Sequence, residues 1–271
     1  MKLKEKGKDL NGKWALVTGG SSGIGLCFCR ELASRGCSLV MVSNQDSLDE
    51  CAHDIEQELG VRALPLFCDL TSPDAAEKII SFIEERDITI DYLINNAGIF
   101  SFRPVAETPE GKIECFIDLH VRAVTTLSRR FASIFAKRGE GRILNMSSMS
   151  CWMPMPGIAM YSATKAYIRV FSRALHYEMR DSGVSVTVAC PGGIATDLFG
   201  LPENLKRLAV RLGVLQTPER FVHKAVGKML KGKQQYINGW LNRVSIFFVA
   251  VMPTWVRMLV KRKLLDRNIV R

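Results

Sequence analysis

The run W-A-L-V-T-G-G-S-S-G-I-G, Trp14–Gly25, decides how the rest of the chain is read. Its first five residues are apolar or β-branched, the composition of a short buried strand. Glycines follow at once, and an amphipathic segment reaching about Arg35 then reads as a helix. Strand, glycine-rich turn and helix in that order make an anion cradle. The missing side chains of Gly19, Gly23 and Gly25 let the backbone approach a pyrophosphate, whose charge sits at a helix N-terminus. Ser21 and Ser22 add hydroxyl donors, and Ile24 opens the helix between two of the glycines. The spacing differs from the familiar Gly-x-Gly-x-x-Gly, but the reason for glycine is the same.

Outward from this stretch the alternation repeats. Ser38–Ser43 reads as a second buried strand, ending in Ser43-Asn44-Gln45 with no acid before Asp46. An acid at that place binds a ribose 2′-hydroxyl and repels a 2′-phosphate; its absence favours NADP(H), with NAD(H) still open. A third strand, 63–67, ends in Cys68-Asp69-Leu70. Asp69 either accepts a hydrogen bond from an adenine amino group or caps the helix that follows. A strand at 91–94 ends in Asn95-Asn96-Ala97-Gly98, where small residues admit a flat ring or ribose close to backbone. A long helix is expected over about 107–137, then a strand at 142–146 that delivers Ser147 and Ser148. A helix from about Ala159 to Ser182 precedes a strand at 184–189, which leads into Cys190-Pro191-Gly192-Gly193-Ile194-Ala195-Thr196. A helix at 217–231 and a short strand at 235–237 complete the pattern.

Strands alternating with helices imply an α/β fold, a parallel sheet of about seven strands with helices on both faces. Ligands of such a fold sit beyond the carboxyl ends of the strands. Gly19, Asp69, Asn96, Ser148 and Pro191 all fall at such ends. Tyr161 and Lys165 stand four apart on the following helix and so share a face. A phenol beside an ammonium is a usable proton donor, because the positive charge favours phenolate. Ser148 can offer its hydroxyl to the same oxygen.

A chain of 271 residues suits one large domain. The formal net charge is +10, yet from Leu201 onward there are 15 Lys and Arg against 3 Asp and Glu. The excess is therefore local, which argues against a nucleic-acid-binding core and for a basic surface near the C-terminus. The 8 cysteines form no Cys-x-x-Cys and no Cys/His cluster with zinc spacing, so no metal site is expected. Reduced thiols suit a cytoplasmic protein, and the basic N-terminus lacks the apolar run of a secretory signal.

The residues T-G-G-S-S-G-I-G (Thr18–Gly25), C-D-L (Cys68–Leu70), N-N-A-G (Asn95–Gly98), Ser148, Y-S-A-T-K (Tyr161–Lys165) and P-G-G-I-A-T (Pro191–Thr196) together resemble the classical short-chain dehydrogenase/reductase family, over about residues 12 to 200. The resemblance implies a Rossmann-type doubly wound sheet and an NAD(P)-dependent oxidoreductase acting on an alcohol or a carbonyl. It implies that Tyr161 is the general acid of carbonyl reduction, that Lys165 lowers its pKa and holds the nicotinamide ribose, and that Ser148 bonds the carbonyl oxygen. Pro191, Gly192, Ile194 and Thr196 would fold against the nicotinamide. Where the family brings an asparagine that holds a relay water, this chain reads D-L-H-V-R-A, which places His120 there. Histidine can bond a water and carry a proton, or simply pack on a helix face. Family members are often dimers or tetramers, so a homo-oligomer is expected.

Two apolar segments flank the expected catalytic oxygen. One carries Met149, Trp152, Met153, Met155, Ile158 and Met160; the other, Leu198, Phe199, Leu201, Leu205, Leu208 and Leu212. Methionine-rich walls suit a long flexible substrate; they equally suit core or subunit packing. Beyond a catalytic domain at 1–238, the tail 239–271 has an uncharged stretch, 244–256, flanked by Arg243, Arg257, Lys261, Arg262 and Lys263. That stretch is short of the ~20 residues needed to span a bilayer. It fits a segment lying at a membrane interface, peripheral on the cytoplasmic face, or one packed on its own domain or a partner subunit. Such a tail resembles the lipid-handling branch of the family, which includes 3-ketodihydrosphingosine and long-chain 3-ketoacyl reductases. The expected function is thus NADPH-dependent reduction of a carbonyl on a lipophilic 3-keto substrate. The rivals are a steroid or small-alcohol dehydrogenase and a catalytically decayed nucleotide-binding protein at a membrane surface.

Overall fold

The computed structural model describes residues 9–192 and 216–262. Its strands are β1 (Trp14–Thr18), β2 (Ser38–Ser43), β3 (Ala63–Phe67), β4 (Tyr92–Asn95), β5 (Gly141–Met146), β6 (Val184–Cys190) and β7 (Gln235–Ile237). Its helices are α1 (Gly23–Ala33), α2 (Leu48–Leu59), α3 (Ala75–Glu84), α4 (Glu110–Ile117), α5 (Val124–Arg138), α6 (Ala159–Glu178), α7 (Pro218–Leu230), α8 (Trp240–Ala250) and α9 (Thr254–Val260).

The strands read as almost continuous apolar runs because both sheet faces are covered. In β2 every residue after Ser38 is buried. On one face Phe28 and Leu32 of α1, Ile55 of α2 and Phe221 and Val226 of α7 pack against Val17, Leu39 and Met41. On the other, Ile79 of α3, Leu127, Phe131 and Phe135 of α5 and Leu175 of α6 pack against Leu16, Val40, Leu93 and Ile143. The strand order is β3-β2-β1-β4-β5-β6-β7, with every pair parallel. This is the doubly wound Rossmann-type sheet that the sequence implies. Because β1 lies between β2 and β4, the winding reverses there, and the crevice at that switch point is where such sheets bind ligands.

The long helix expected over 107–137 is interrupted. Helix α4 ends at Ile117, a π-helical turn occupies Asp118–Ala123, and α5 resumes at Val124. A π turn inserts an extra residue per turn and often marks a functional position. Here it carries His120, which has no solvent exposure. Helix α6 also stops at Glu178, and Arg180–Ser182 form a separate 3₁₀ turn.

Candidate active site

The carboxyl ends of β1, β2, β3, β4, β5 and β6 open on one cleft of about 500 Å³. Of the cofactor residues expected from sequence, Gly19, Ser21, Ser22, Gly23, Ile24 and Gly25 line its β1 side. Ser43, Asn44, Asp69 and Leu70 line it from β2 and β3, and Asn96, Ala97 and Gly98 from β4. Tyr161, Lys165, Pro191 and Gly192 close the other end. Ile194 and Thr196 lie outside the described residues, as do Leu198 to Leu212 of the expected substrate wall.

Glycine is required where the cradle is tightest. Gly19 and Gly23 take φ of +66° and +53°, left-handed values that side chains resist. A Cβ on Gly25 would overlap the Gly19 carbonyl oxygen, and beyond Gly23 the space is open. The cradle is braced from β4. Thr18 Oγ1 accepts the Asn96 and Ala97 N–H groups at 3.0 Å each, and Asn96 Nδ2 donates to the Thr18 carbonyl at 3.0 Å. The Asn96 amide therefore stiffens the turn. The sequence shows Thr18 as a strand end and the first residue of the glycine motif, and its bracing needs the β1–β4 pairing to be visible.

At the end of β2 the surroundings are neutral. Ser21 Oγ donates to Gln45 Oε1 at 2.6 Å and lies 2.8 Å from Ser43 Oγ, and Ser22 Oγ donates to the same Gln45 oxygen at 3.1 Å. Gln45 thus belongs to the site, although two residues beyond the strand it reads only as part of an acid-free end. Among the described residues lining the cleft, Asp69 is the sole carboxylate. Its Oδ1 accepts the Thr71 N–H at 3.0 Å and the Thr71 hydroxyl at 2.9 Å, a local turn that presents the residue to the cleft.

Tyr161 and Lys165 extend from one face of α6, both buried, at 8% and 5% exposure. Burial pushes the Tyr161 phenol up from its ordinary pKa, while a hydrogen bond with the Ser148 hydroxyl pulls it down. The lowering expected from Lys165 is not what this geometry produces. The Lys165 ammonium donates to the Met146 carbonyl at 3.0 Å and lies 5.7 Å from the Tyr161 ring centroid. Its own pKa is lowered to about 8, because burial disfavours the charge. Ser148 begins the 3₁₀ turn Met149–Trp152, and its Oγ accepts the Ser150 N–H at 3.1 Å. Phe100, missed in the sequence, stands edge-on to Tyr161 with ring centroids 5.0 Å apart. It packs an apolar ring against the phenol.

His120 is placed beside this group, but not as a proton carrier. Its Nε2 accepts the Ile99 N–H at 3.1 Å, which leaves the ring proton on Nδ1, donating to Thr164 Oγ1 at 2.9 Å. Burial, with a smaller contribution from the Lys165 charge, lowers its pKa to about 2. Of the two readings left open for His120, the geometry favours the packed one: a neutral histidine that ties the Gly98–Ile99 turn to α6. Gly98 leaves it room, since a Cβ there would come within 2.8 Å of His120 Nε2 and 3.3 Å of Lys165 Nζ. Of the two readings left open for the methionine-rich loop, Trp152 takes the core-packing one. Trp152 packs with Val124, Ile168, Val188 and Cys190 and carries the Arg169 guanidinium 4.4 Å over its ring. Met149, Met153, Met155, Ile158 and Met160 do not line the cleft. No group of histidine, cysteine and carboxylate able to hold a metal occurs among the described residues.

This arrangement can hold a dinucleotide along the strand ends and protonate an oxygen at Tyr161. Residues 13–203 match the sequence model of the family described as short chain dehydrogenase, and the chain belongs to that family. It is an NAD(P)-dependent oxidoreductase. The chain is 32% identical to the very-long-chain 3-oxoacyl-CoA reductase of Macaca fascicularis, over 90% of this chain and 77% of that protein. It is 31% identical to the inactive hydroxysteroid dehydrogenase-like protein 1 of Pongo abelii, over 90% of this chain and 74% of that one. Among solved structures it is similar to a 7β-hydroxysteroid dehydrogenase, with a TM-score of 0.81 and 29% identity over 90% of this chain and 94% of the other. A short-chain dehydrogenase from Sphingobium yanoikuyae in complex with NADPH gives a TM-score of 0.75 and 28% identity, over 96% and 97%.

Proposed function

We propose that this chain reduces a ketone on a lipophilic substrate with NADPH, and that the substrate is a long-chain 3-keto lipid such as a 3-ketoacyl or 3-ketodihydrosphingosine compound. The observation that carries the reading is the meeting of Ser148, Tyr161 and Lys165 at one end of a cleft whose other end is the Gly19–Gly25 cradle. The left-handed glycines and the open space beyond Gly23 fit a dinucleotide phosphate. The neutral end of β2, with Ser43, Asn44 and Gln45, fits a 2′-phosphate better than a strand ending in an acid would. The Sphingobium neighbour with bound NADPH supports the same choice.

When bound, the nicotinamide supplies a hydride to the carbonyl carbon. Ser148 donates its hydroxyl to the carbonyl oxygen, and Tyr161 delivers its proton there as negative charge develops. The buried Lys165 ammonium, largely protonated near neutral pH, is held on the Met146 carbonyl and offers its remaining N–H donors to the ribose. Neutral His120 keeps the Gly98–Ile99 turn and Thr164 fixed around them. The apolar ring of Phe100 against the phenol supports an apolar substrate. Homology to the Macaca reductase points to the 3-keto class. Similarity to the 7β-hydroxysteroid dehydrogenase favours a steroid as the second reading.

The catalytic unit is 1–238, the tail 239–271 associates peripherally with the cytoplasmic face of a membrane, and the chain works as a homo-oligomer. Exposed Ile134 on α5 and Val170 and Tyr177 on α6 are apolar positions that a subunit contact would cover. NADPH oxidation with 3-keto sphingoid, 3-ketoacyl, steroid and small water-soluble ketones tests the reading. Turnover should be highest with a long-chain 3-ketone and lower with NADH. Turnover confined to steroids or small polar ketones would reject the substrate class.

A further inference from the structure

About half of the exposed large apolar side chains among the described residues fall within 20 positions of α8 and α9. They are regularly placed. Trp240, Val244, Phe248, Val251, Trp255 and Leu259 recur every three or four residues, the spacing of one helical face, through the break at Pro253. Trp240, Val251 and Trp255 are 71%, 60% and 68% exposed, whereas an ordinary amphipathic helix turns such a face inward. Arg243, Lys261 and Arg262 flank this stripe and are exposed. From Arg220 to Leu265 there is no Asp or Glu.

We propose that the apolar stripe of α8 and α9 docks this protein on an anionic lipid surface and sets the edge of the cofactor cleft against the bilayer. The inference rests on the lipophilic-substrate reading and adds the face that meets the lipid. Neither helix can cross a bilayer: α8 has 11 residues, α9 has 7, and no described helix is long and apolar enough to span. A tryptophan near each end with basic residues alongside is the pattern of a helix lying in the interface. A second copy of the chain fits this face poorly. A two-fold contact places a patch against itself and would oppose like charges, whereas anionic headgroups neutralise them.

The stripe is tied to the site. Helix α8 packs against the 3₁₀ turn that follows Ser148. Asn238 Oδ1 accepts the Gly192 N–H at 2.6 Å, and Asn242 Nδ2 of α8 donates to the Asn238 carbonyl at 2.8 Å. A Cβ on Gly192 would run into the Asn242 side chain. Gly192 borders the cleft, and Asn242 faces it from the side of α8 opposite the stripe, so a bilayer under the stripe lies one helix thickness, ~10 Å, from the cleft edge. A long-chain ketone dissolved in that bilayer then reaches the site without crossing water.

The test is co-sedimentation of the whole chain with vesicles of phosphatidylcholine containing about 30% phosphatidylserine, compared with phosphatidylcholine alone. The parent should bind the anionic vesicles, and its tryptophan emission should be quenched by brominated acyl chains. W240S/W255S and K261E/R262E should each weaken partitioning by ~10-fold or more. Both variants should keep the parent's NADPH-dependent turnover of a water-soluble ketone while losing turnover of a vesicle-borne one. A parent that stays in the supernatant, or variants that bind as it does, would overturn the proposal. So would a change in light-scattering mass with lipid binding unaltered, which would assign the stripe to a second copy. Vesicle binding is read without substrate, so loss of the reductase reading would show separately, as vesicle binding without NADPH oxidation.

Discussion

Substituting His120 by asparagine tests how this site holds its charges. The native ring is fully buried, accepts from Ile99 and donates to Thr164. Its pKa falls from 6.5 to about 2 on folding, chiefly through burial. The unfolded chain therefore binds a proton that the folded chain refuses between those two values. Stability is untouched by this group above pH 6.5 and declines as pH falls below it, reaching the full loss near pH 2. Between pH ~7.5 and pH ~5 the loss is about 2 kcal/mol, from 1.36 kcal/mol per pH unit over about 1.5 units. H120N removes the titrating ring. It leaves the Ile99 and Thr164 bonds imperfectly made, at about 1–3 kcal/mol each, but that cost is the same at both pH values. Urea unfolding of parent and variant at the two pH values isolates the term. The parent should lose about 2 kcal/mol more than H120N on acidification. Equal losses, or an NMR titration of the His120 ring near its ordinary value, would refute a neutral histidine and restore the proton relay.

Gly25→Ala should weaken NADPH binding by ~5- to 150-fold with the chain still folded, because overpacking costs ~1–3 kcal/mol and here displaces the backbone of the cradle; NADPH fluorescence titration reads it, and parent-like affinity would remove the cradle from the account. Ser148→Ala should lower kcat by about 100-fold with little change in KM, the signature of a donor that acts on developing charge. An unchanged kcat would leave Ser148 as a cap for the following turn, since its Oγ also accepts the Ser150 N–H.

The strand ends were legible because each was announced locally. Glycines after Trp14–Thr18, Cys68-Asp69-Leu70 after β3 and Asn95–Gly98 after β4 need only strand boundaries and the rule that ligands lie at carboxyl ends. The charge states were not legible. The Tyr161–Lys165 spacing predicts a shared face, which the structure has, but not that burial would raise the phenol and lower the ammonium. His120 turns on a π turn that no hydrophobic period signals, and on partners 21 and 44 positions away in the chain. Gln45 and Thr18 needed cross-strand neighbours before their roles could be seen. For Trp152 the sequence leaves substrate wall and core packing open, because its place between Ser148 and Tyr161 suits either; the 3₁₀ turn directs it into a small core.

The most direct test of carbonyl reduction at this site is NADPH oxidation by Tyr161→Phe with a ketone the parent accepts. Phenylalanine keeps the ring and its contact with Phe100 but removes the proton that this account delivers to the carbonyl oxygen. Turnover should fall by ~100-fold or more, the usual worth of a positioned general acid, while NADPH affinity stays at the parent's value. Turnover equal to the parent's would contradict the assignment.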